Sequence, residues 1–455
     1  MDISDSNKLF LDGILALSRM EQQGFRIDLD YVFAKKDEIT KQISELEQIF
    51  VKSKFYKEWK QSVKKQVNIY SPTQLSHFIY TVKKLRINKE TITGQGSTDE
   101  ETLKQLGIPE LETLLQIKKL KKIRDTYLEG FITEQVNGYI HPVYDLHLVR
   151  TFRGSCRNPN FQNIPKRDKE AMDICRKAIF PRPGHQLMEV DFKQLEVRIA
   201  GCYCKDQKLI DDILTGDMHR DMAVELFQFE FNKEESSHKV LRSATKNGFV
   251  FPQFYGDYYK NCAVNLASNW GKLPKTGYWK KGMGIEFENR RLSDLMIENG
   301  FKNLDSFTNH VKNIEYIFWK KRYYKYDLWR TKWYEEYLKT GEFTSKTGFI
   351  YSGLMKRNDV INYPVQGSAF HCLLWSIIEI TKAQKSEHWD TKLIGQIHDA
   401  VILDVNPKEL KHVINVVKCI MCHDIQKSWD WIIIPLDVDI EISDVDKSWA
   451  EKHSL

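Results

Sequence analysis

Two carboxylates stand apart from the ordinary charged surface of this sequence. Asp191 comes at the end of an apolar run, Leu187-Met188-Glu189-Val190-Asp191-Phe192, and Asp399 lies in the pair His398-Asp399 between the apolar runs 393–397 and 400–405. Each is presented at a strand end, and they are far apart in sequence. Carboxylates presented this way, helped by a backbone carbonyl such as that of Phe192, suit a hard divalent cation, which takes oxygen ligands. Taken alone, Asp191 also reads as a helix cap and Asp399 as a turn former, the commoner uses of an isolated Asp. A second chemistry-bearing group is Arg242 and Lys246, four residues apart and so on one helix face. Aromatic residues follow within about two turns, up to Tyr255. Two cations beside rings would bind a triphosphate and stack on its base, or would be a surface pair above core aromatics.

These groups need elements to position them. The strand ending at Phe192 passes into a helix from Gln194, with Leu195, Arg198 and Ile199 at helical spacing and Glu196 on another face. The turn His398-Asp399 predicts a hairpin. Thr215-Gly216-Asp217-Met218-His219 predicts a helix start, and Pro252 should kink or end the helix that carries Arg242. Further upstream, helices are expected over 8–24, from about Asp30 to Phe55, and over 109–135, with starts at Ser71-Pro72 and a capping box at Thr98 to Glu101. The 109–135 helix sets an apolar stripe against Lys118, Lys119, Lys121, Lys122 and Arg124, which is either a solvated face or a track for phosphates. The run Tyr316 to Arg330 interleaves rings with cations. It would hold a single strand by stacking and charge, or pack as an aromatic core. The amide-rich stretch Asn158 to Pro165 offers groups that reach groove acceptors, or an Asx-rich turn.

The bulk properties leave this chemistry room. The chain has 455 residues, 42% hydrophobic and 29% charged, and so can bury the core of several subdomains. A net charge of +6 permits a polyanionic partner. No apolar run approaches the roughly 20 residues of a membrane span, and the polar N-terminus is no signal peptide. The eight cysteines are expected to be reduced thiols. Cys419-Ile420-Met421-Cys422-His423 matches the c-type haem signature, but it lies in a helical apolar pattern where cysteine serves as a small core group.

Taken in order, the motifs resemble DNA polymerase family A. Asp191 to Arg198 is similar to the palm motif D-Y-S-Q-I-E-L-R, and Arg242 to Gly256 to the fingers helix R-x-x-x-K-x-x-x-F/Y-G-x-x-Y-G. His398-Asp399 is similar to H-D-E, Thr151 to Pro165 to T-G-R-L-S-S-x-x-P-N-L-Q-N-I-P, and Asn362 to Gly367 to N-A-P-M-Q-G. Glu21 to Asp28 resembles the segment after the proofreading domain, and Ser71 to Leu75 and Ser97 to Leu106 resemble the thumb. The resemblance covers nearly the whole chain.

It implies an α+β right-hand fold with an antiparallel palm sheet, a helical thumb and helical fingers. The expected divisions are an N-terminal palm-associated segment 1–28, thumb 29–130, palm 131–205, fingers 206–345 and palm 346–455. It implies template-directed DNA synthesis from dNTPs on a primer–template, in phage replication or in repair. Asp191, Asp399 and the Phe192 carbonyl would hold two Mg²⁺ ions, or Mn²⁺ in their place. His219, Arg242 and Lys246 would contact the triphosphate. Glu196 would exclude a 2′-hydroxyl, and Tyr255 would lie near the templating base. Arg153, Asn163, Asn362 and Gln366 would meet the duplex, His398 would support the primer end, and Lys118 and Lys122 would grip phosphates. The cytoplasm, or that of a host for a phage-encoded chain, is the expected location.

Three departures qualify this. Ala400 replaces a second hairpin carboxylate. One extra residue lies between Lys246 and Tyr255, so either Val250 or Phe251 falls at the stacking position; Phe251 has the ring, which predicts a bulge near Pro252. The chain starts where the proofreading exonuclease would end, so no exonuclease activity is expected, and a separate exonuclease or processivity factor would be a further partner. The alternatives are a single-subunit RNA polymerase, against which Glu196 argues, and a catalytically weak polymerase-like DNA-binding subunit.

Overall fold

The computed structural model describes residues 1–63, 66–85, 87, 90–91, 94–165, 168–270 and 277–455, without the side chains of 101, 105 and 270. The chain divides into two compact units. Met1–Phe25, His141–Gln162 and Phe180–Leu455 form the first, and Arg26–Ile140 with Asn163–Ile179 the second.

The first unit is built on a five-stranded antiparallel sheet. Its strands are β1 (Gln186–Phe192), β2 (Lys392–Ile397), β3 (Ala400–Val405), β4 (Val438–Ile442) and β5 (His453–Ser454), in the order β2-β3-β1-β4-β5. β1 and β3 are buried along nearly their whole length, as in a sheet covered on both faces, with Gln186, Glu189 and Asp404 as buried polar members. The expected hairpin is present: Ile397 pairs with Ala400, leaving a two-residue turn in which His398 takes a positive φ of 52°.

Helices α1 (Ile3–Gln23), α2 (Leu195–Cys204), α3 (Met218–Phe227), α4 (Ser236–Thr245), α5 (Phe251–Phe254) and α6 (Arg357–Ser386) carry or support the site. α1 lies close against α6, where a Cβ on Gly13 would come within 2.9 Å of the Leu374 side chain. Phe25, Phe161 and Trp449 stack in series, with centroids 4.0 and 5.8 Å apart. Within the aromatic run 316–330, Phe318, Trp319, Tyr323 and Tyr326 are buried and pack on Phe254, whereas Tyr316 and Tyr324 are exposed. Four of the seven rings in that run are therefore core.

The second unit is helical. The long helix expected to Phe55 breaks at Ser53, whose extended backbone and hydroxyl cap a new helix, so Leu29–Lys52 and Lys54–Ser62 are separate. The 109–135 helix is interrupted by a wider π turn at Ile123–Leu128. The expected capping box shifts by one residue: Asp99 accepts the Thr102 amide at 2.8 Å, and the Glu101 side chain lies outside the described residues. Among the described residues no helix is long and apolar enough to cross a membrane.

Candidate active site

Sheet register brings the two carboxylates together. β1 is central, and Asp191 pairs with Ala400 on one side and Asp439 on the other. The Phe192 amide donates to the Asp399 carbonyl at 3.2 Å, so Asp399 follows one step beyond Ala400 at the same end of the sheet. Gln194, at φ 51°, turns the chain sharply from β1 into α2 and puts Glu196 in its first turn.

Glu196 is the hub of a hydrogen-bonded chain. Its Oε1 accepts from Arg153 Nη1 at 3.2 Å and its Oε2 from the Tyr255 hydroxyl at 2.7 Å. Burial, then the Glu196 charge, pushes the Tyr255 phenol well above its usual range, so it stays a donor. The Tyr255 carbonyl accepts from Asn362 Nδ2 at 2.9 Å, and the Gly256 carbonyl from Asn358 Nδ2 at 3.1 Å. Gly256 is required there: its φ is 87°, and a Cβ would lie 2.5 Å from the Asn358 side chain. Gln366 is one turn beyond Asn362 on α6, and both are half-buried.

The extra residue between Lys246 and Tyr255 is absorbed by a π turn over Lys246–Val250, closed by the Phe251 amide donating to the Lys246 carbonyl. The bulge ends before Pro252 rather than surrounding it. Proline has no N–H to continue the α pattern, so a widened turn just upstream is where the strain can be taken up. The turn buries Val250 completely and leaves Phe251 half-exposed. The Phe251 ring lies 5.1 Å from Lys246 Nζ, 5.7 Å from the His219 ring and 6.4 Å from the Tyr255 ring. Phe251 therefore shares a face with these groups and Val250 does not.

Arg242 Nε donates to Asp217 Oδ2 at 2.7 Å. Burial pushes Asp217 up, but the Arg242 and Arg220 hydrogen bonds outweigh it and hold the carboxyl below its usual range. Burial, reinforced by Arg242 and Lys246, lowers the His219 imidazole to about 4. His219 is thus neutral near pH 7. Positive charge on this face comes from Arg242 and Lys246, with His219 offering a neutral ring nitrogen.

Asn163, Lys118 and Lys122 belong to the second unit. There, Lys119 pairs with Asp168 and Glu170, and Lys121 with Asp125. Lys118 is half-buried, which lowers its pKa, while Lys122 is exposed with its ammonium 5.9 Å from the Tyr127 ring. Only part of the lysine-rich face thus remains outside ion pairs. Cys422 is buried and Cys419 Sγ lies 3.4 Å from Asp424 Oδ2, so the C-x-x-C-H segment is helix interior.

Sequence reasoning missed three groups. Asp217 gave only a helix-cap signal, with no hint of Arg242. Asn358 looked like any helix-start amide. Lys193, whose Nζ bridges Asp437 at 2.9 Å and Asp439 at 3.1 Å beside Asp191, gave no signal, because its partners are on a strand more than 240 residues away.

Two carboxylates at one sheet end offer the oxygen donors that a hard divalent cation takes. Among the described residues no group of three or more His, Cys, Asp or Glu gathers to hold an ion alone.

Comparison with known proteins bears on this geometry. A family model described as DNA polymerase family A matches residues 35–451. DNA polymerase I of Lactococcus lactis subsp. lactis (strain IL1403) is 28% identical over 390 residues, 85% of this chain and 40% of the relative. DNA polymerase I of Geobacillus stearothermophilus is 26% identical over 434 residues, 94% of this chain and 44% of the relative. The chain thus spans less than half the length of these curated relatives. A solved structure, the POL domain of Pol1 from M. smegmatis in complex with DNA primer-template and dNTP, superposes with a TM-score of 0.75 at 22% identity, covering 97% of this chain and 70% of that one.

Proposed function

The chain belongs to DNA polymerase family A, and from that premise we propose that it extends a DNA primer on a template, joining dNMP units from dNTPs to the 3′-hydroxyl, in DNA replication or repair. The observation that carries the reading is the register that sets Asp191 and Asp399 at one end of the sheet. The Arg242/Lys246/Phe251 face, linked through Tyr255 and Glu196, adds a place for an incoming nucleotide.

Asp191, Asp399 and the Phe192 carbonyl would hold two Mg²⁺ ions, or Mn²⁺, which when bound would activate the 3′-hydroxyl and stabilise the leaving pyrophosphate. Arg242 and Lys246 would neutralise phosphate charge. Arg242 would exchange Asp217 for a phosphate oxygen, and neutral His219 would donate a hydrogen bond. Phe251 would stack on the base. Glu196, fixed by Arg153 and the Tyr255 hydroxyl, would occupy the space of a 2′-hydroxyl. His398, Asn362 and Gln366 would contact the primer–template near this site. Lys118, Lys122 and Asn163 would contact the duplex from the other unit. The thumb, fingers and palm divisions belong to the same proposal. So does a phage origin, which rests on the fingers sequence, since the relatives cited above are bacterial.

The test is extension of a primed DNA template with Mg²⁺, dNTPs against NTPs, for the wild type and Asp399→Asn. Extension with dNTPs alone, lost in the variant, supports the proposal. Extension with NTPs would favour an RNA polymerase. Salt-sensitive DNA binding without extension would favour a non-catalytic subunit.

A further inference from the structure

At the end of β2 away from Asp399, α1, the C-terminal end of α6 and the first residues of β2 enclose an open cavity of about 510 Å³. Its wall carries Arg19, Lys385, His388 and Lys392, and its floor includes Trp389 and Leu393, both buried. No carboxylate lines it. Lys392 opens β2 and Asp399 lies just past its end, so at roughly 3.4 Å per residue the cavity is about 20 Å from the catalytic hairpin.

The cavity lining is cationic, and Asp404, opposite Lys392 in the sheet, is paired with Arg182. Arg19, Lys385 and Lys392 form no ion pair among the described residues. The nearby acids are engaged elsewhere. Glu387 binds His412 and the Trp389 indole, and Asp390 binds Arg182, His185 and Asn406. Glu379 pairs with Lys382, and Glu409 caps the amides of Asp390 and Thr391. His388 occupies the left-handed region at φ 55°, where glycine would be the relaxed choice. Arg19 and Lys385 are exposed and Lys392 half-exposed, so an anion entering the cavity can reach them. The volume is that of a small-ligand site, too large for a lone ion and with an apolar floor that a lone ion would not use.

We propose that this cavity is a second anion site that takes a polyphosphate group, its phosphates on Arg19, Lys385 and Lys392, with a nucleoside, where one is attached, toward Trp389 and Leu393. The phosphates could come from a nucleoside polyphosphate or from inorganic polyphosphate.

The experiment is isothermal titration of the whole chain with ATP and, separately, with inorganic tripolyphosphate. The proteins compared are Arg242→Ala, which weakens the proposed polymerase triphosphate site, and the same protein carrying Lys385→Glu and Lys392→Glu. The expected result is binding by the first and at least tenfold weaker binding by the second. The Lys385→Glu/Lys392→Glu pair in the wild-type background should leave primer extension and thermal midpoint unchanged. ATP binding well above tripolyphosphate assigns a nucleoside polyphosphate, and equal binding assigns inorganic polyphosphate. Equal affinity in both proteins overturns the proposal. So does binding of an oligoglutamate peptide with neither phosphate probe bound. Because the readout does not use the polymerase reaction, its failure is distinct from failure of the proposed activity.

Discussion

The π turn at Lys246–Val250 makes a prediction that separates two adjacent residues. Val250 is fully buried and Phe251 is half-exposed beside Lys246, His219 and Tyr255. Phe251→Ala removes the proposed base-stacking surface, which would contribute about 1–3 kcal/mol, a rise in KM for dNTP of roughly fivefold to a hundredfold or more. The thermal midpoint should move little, because little buried surface is lost. Val250→Ala removes two buried methyl groups and leaves a cavity, which costs about 1.5–3 kcal/mol of stability. Its midpoint should fall by several degrees with KM unchanged. Steady-state extension with a single dNTP, with thermal unfolding of the same preparations, reads both quantities. If Val250→Ala raises KM and Phe251→Ala does not, the ring is not at the nucleotide and the assignment of the bulge to this face is wrong.

Three other outcomes follow from named contacts. Burial and its two cationic neighbours lower His219 to about 4 from an unfolded value near 6.5, so the fold disfavours its protonated form. The stability it contributes is complete above about pH 6.5 and is lost as pH falls through about 4. The loss is on the order of 3 kcal/mol, and His219→Gln should flatten that part of a urea-midpoint profile between pH 7 and pH 4. Arg322 holds Asp212, Asp221 and Glu225, and Asp212 is only 5% exposed. Arg322→Ala removes one partner from Asp212, which keeps Lys208 and the Tyr323 hydroxyl, and should cost about 1.5–3 kcal/mol, measured by denaturant unfolding. A Cβ on Gly395 would meet Phe25 Cζ at 2.0 Å in the stack with Phe161 and Trp449. Gly395→Ala should lower stability by about 1–3 kcal/mol, and a midpoint equal to wild type would show that the stack yields freely.

Features set by local periodicity were legible in the sequence. The strand into Asp191, the helix after it and the hairpin at His398-Asp399 each follow from apolar spacing and turn chemistry within a dozen residues. Phe251 was legible too, because counting from both ends of one helix exposed the extra residue, although the form it takes, a π turn ending before Pro252, was not. What the sequence hid depends on packing between distant segments. Arg242 meets Asp217 only because α3 and α4 pack side by side, and nothing in either segment names the other. The lysine-rich face at 118–124 looked uniform. Which lysines are spent depends on Asp168 and Glu170, brought up from more than 45 residues away. The aromatic run 316–330 was ambiguous because rings spaced for a helix core and rings spaced for a bound strand share one pattern. The burial of Phe318, Trp319, Tyr323 and Tyr326 distinguishes them.

Ala400 gains a physical reason from the sheet register. Asp191 on the central strand has Ala400 opposite it on one side and Asp439 on the other, so the three side chains share one face on one rung. Cross-strand neighbours stand about 5 Å apart, and like charges directly opposite are destabilising. A carboxylate at position 400, where the family motif has one, would put three acids in a row, with the one at 400 in a site only 2% exposed to water. Asp439 already contributes one charge beside Asp191, and Lys193 counters it by bridging Asp439 and Asp437. Lys193 stands where the motif D-Y-S-Q-I-E-L-R has serine. The two departures therefore act in the same sense: serine to lysine offsets the negative charge on one side of Asp191, and the hairpin acid to alanine removes it from the other. In the proposed two-metal site, a cation at Asp191 and Asp399 would then be held by fewer protein charges, with more of its coordination coming from the triphosphate and water.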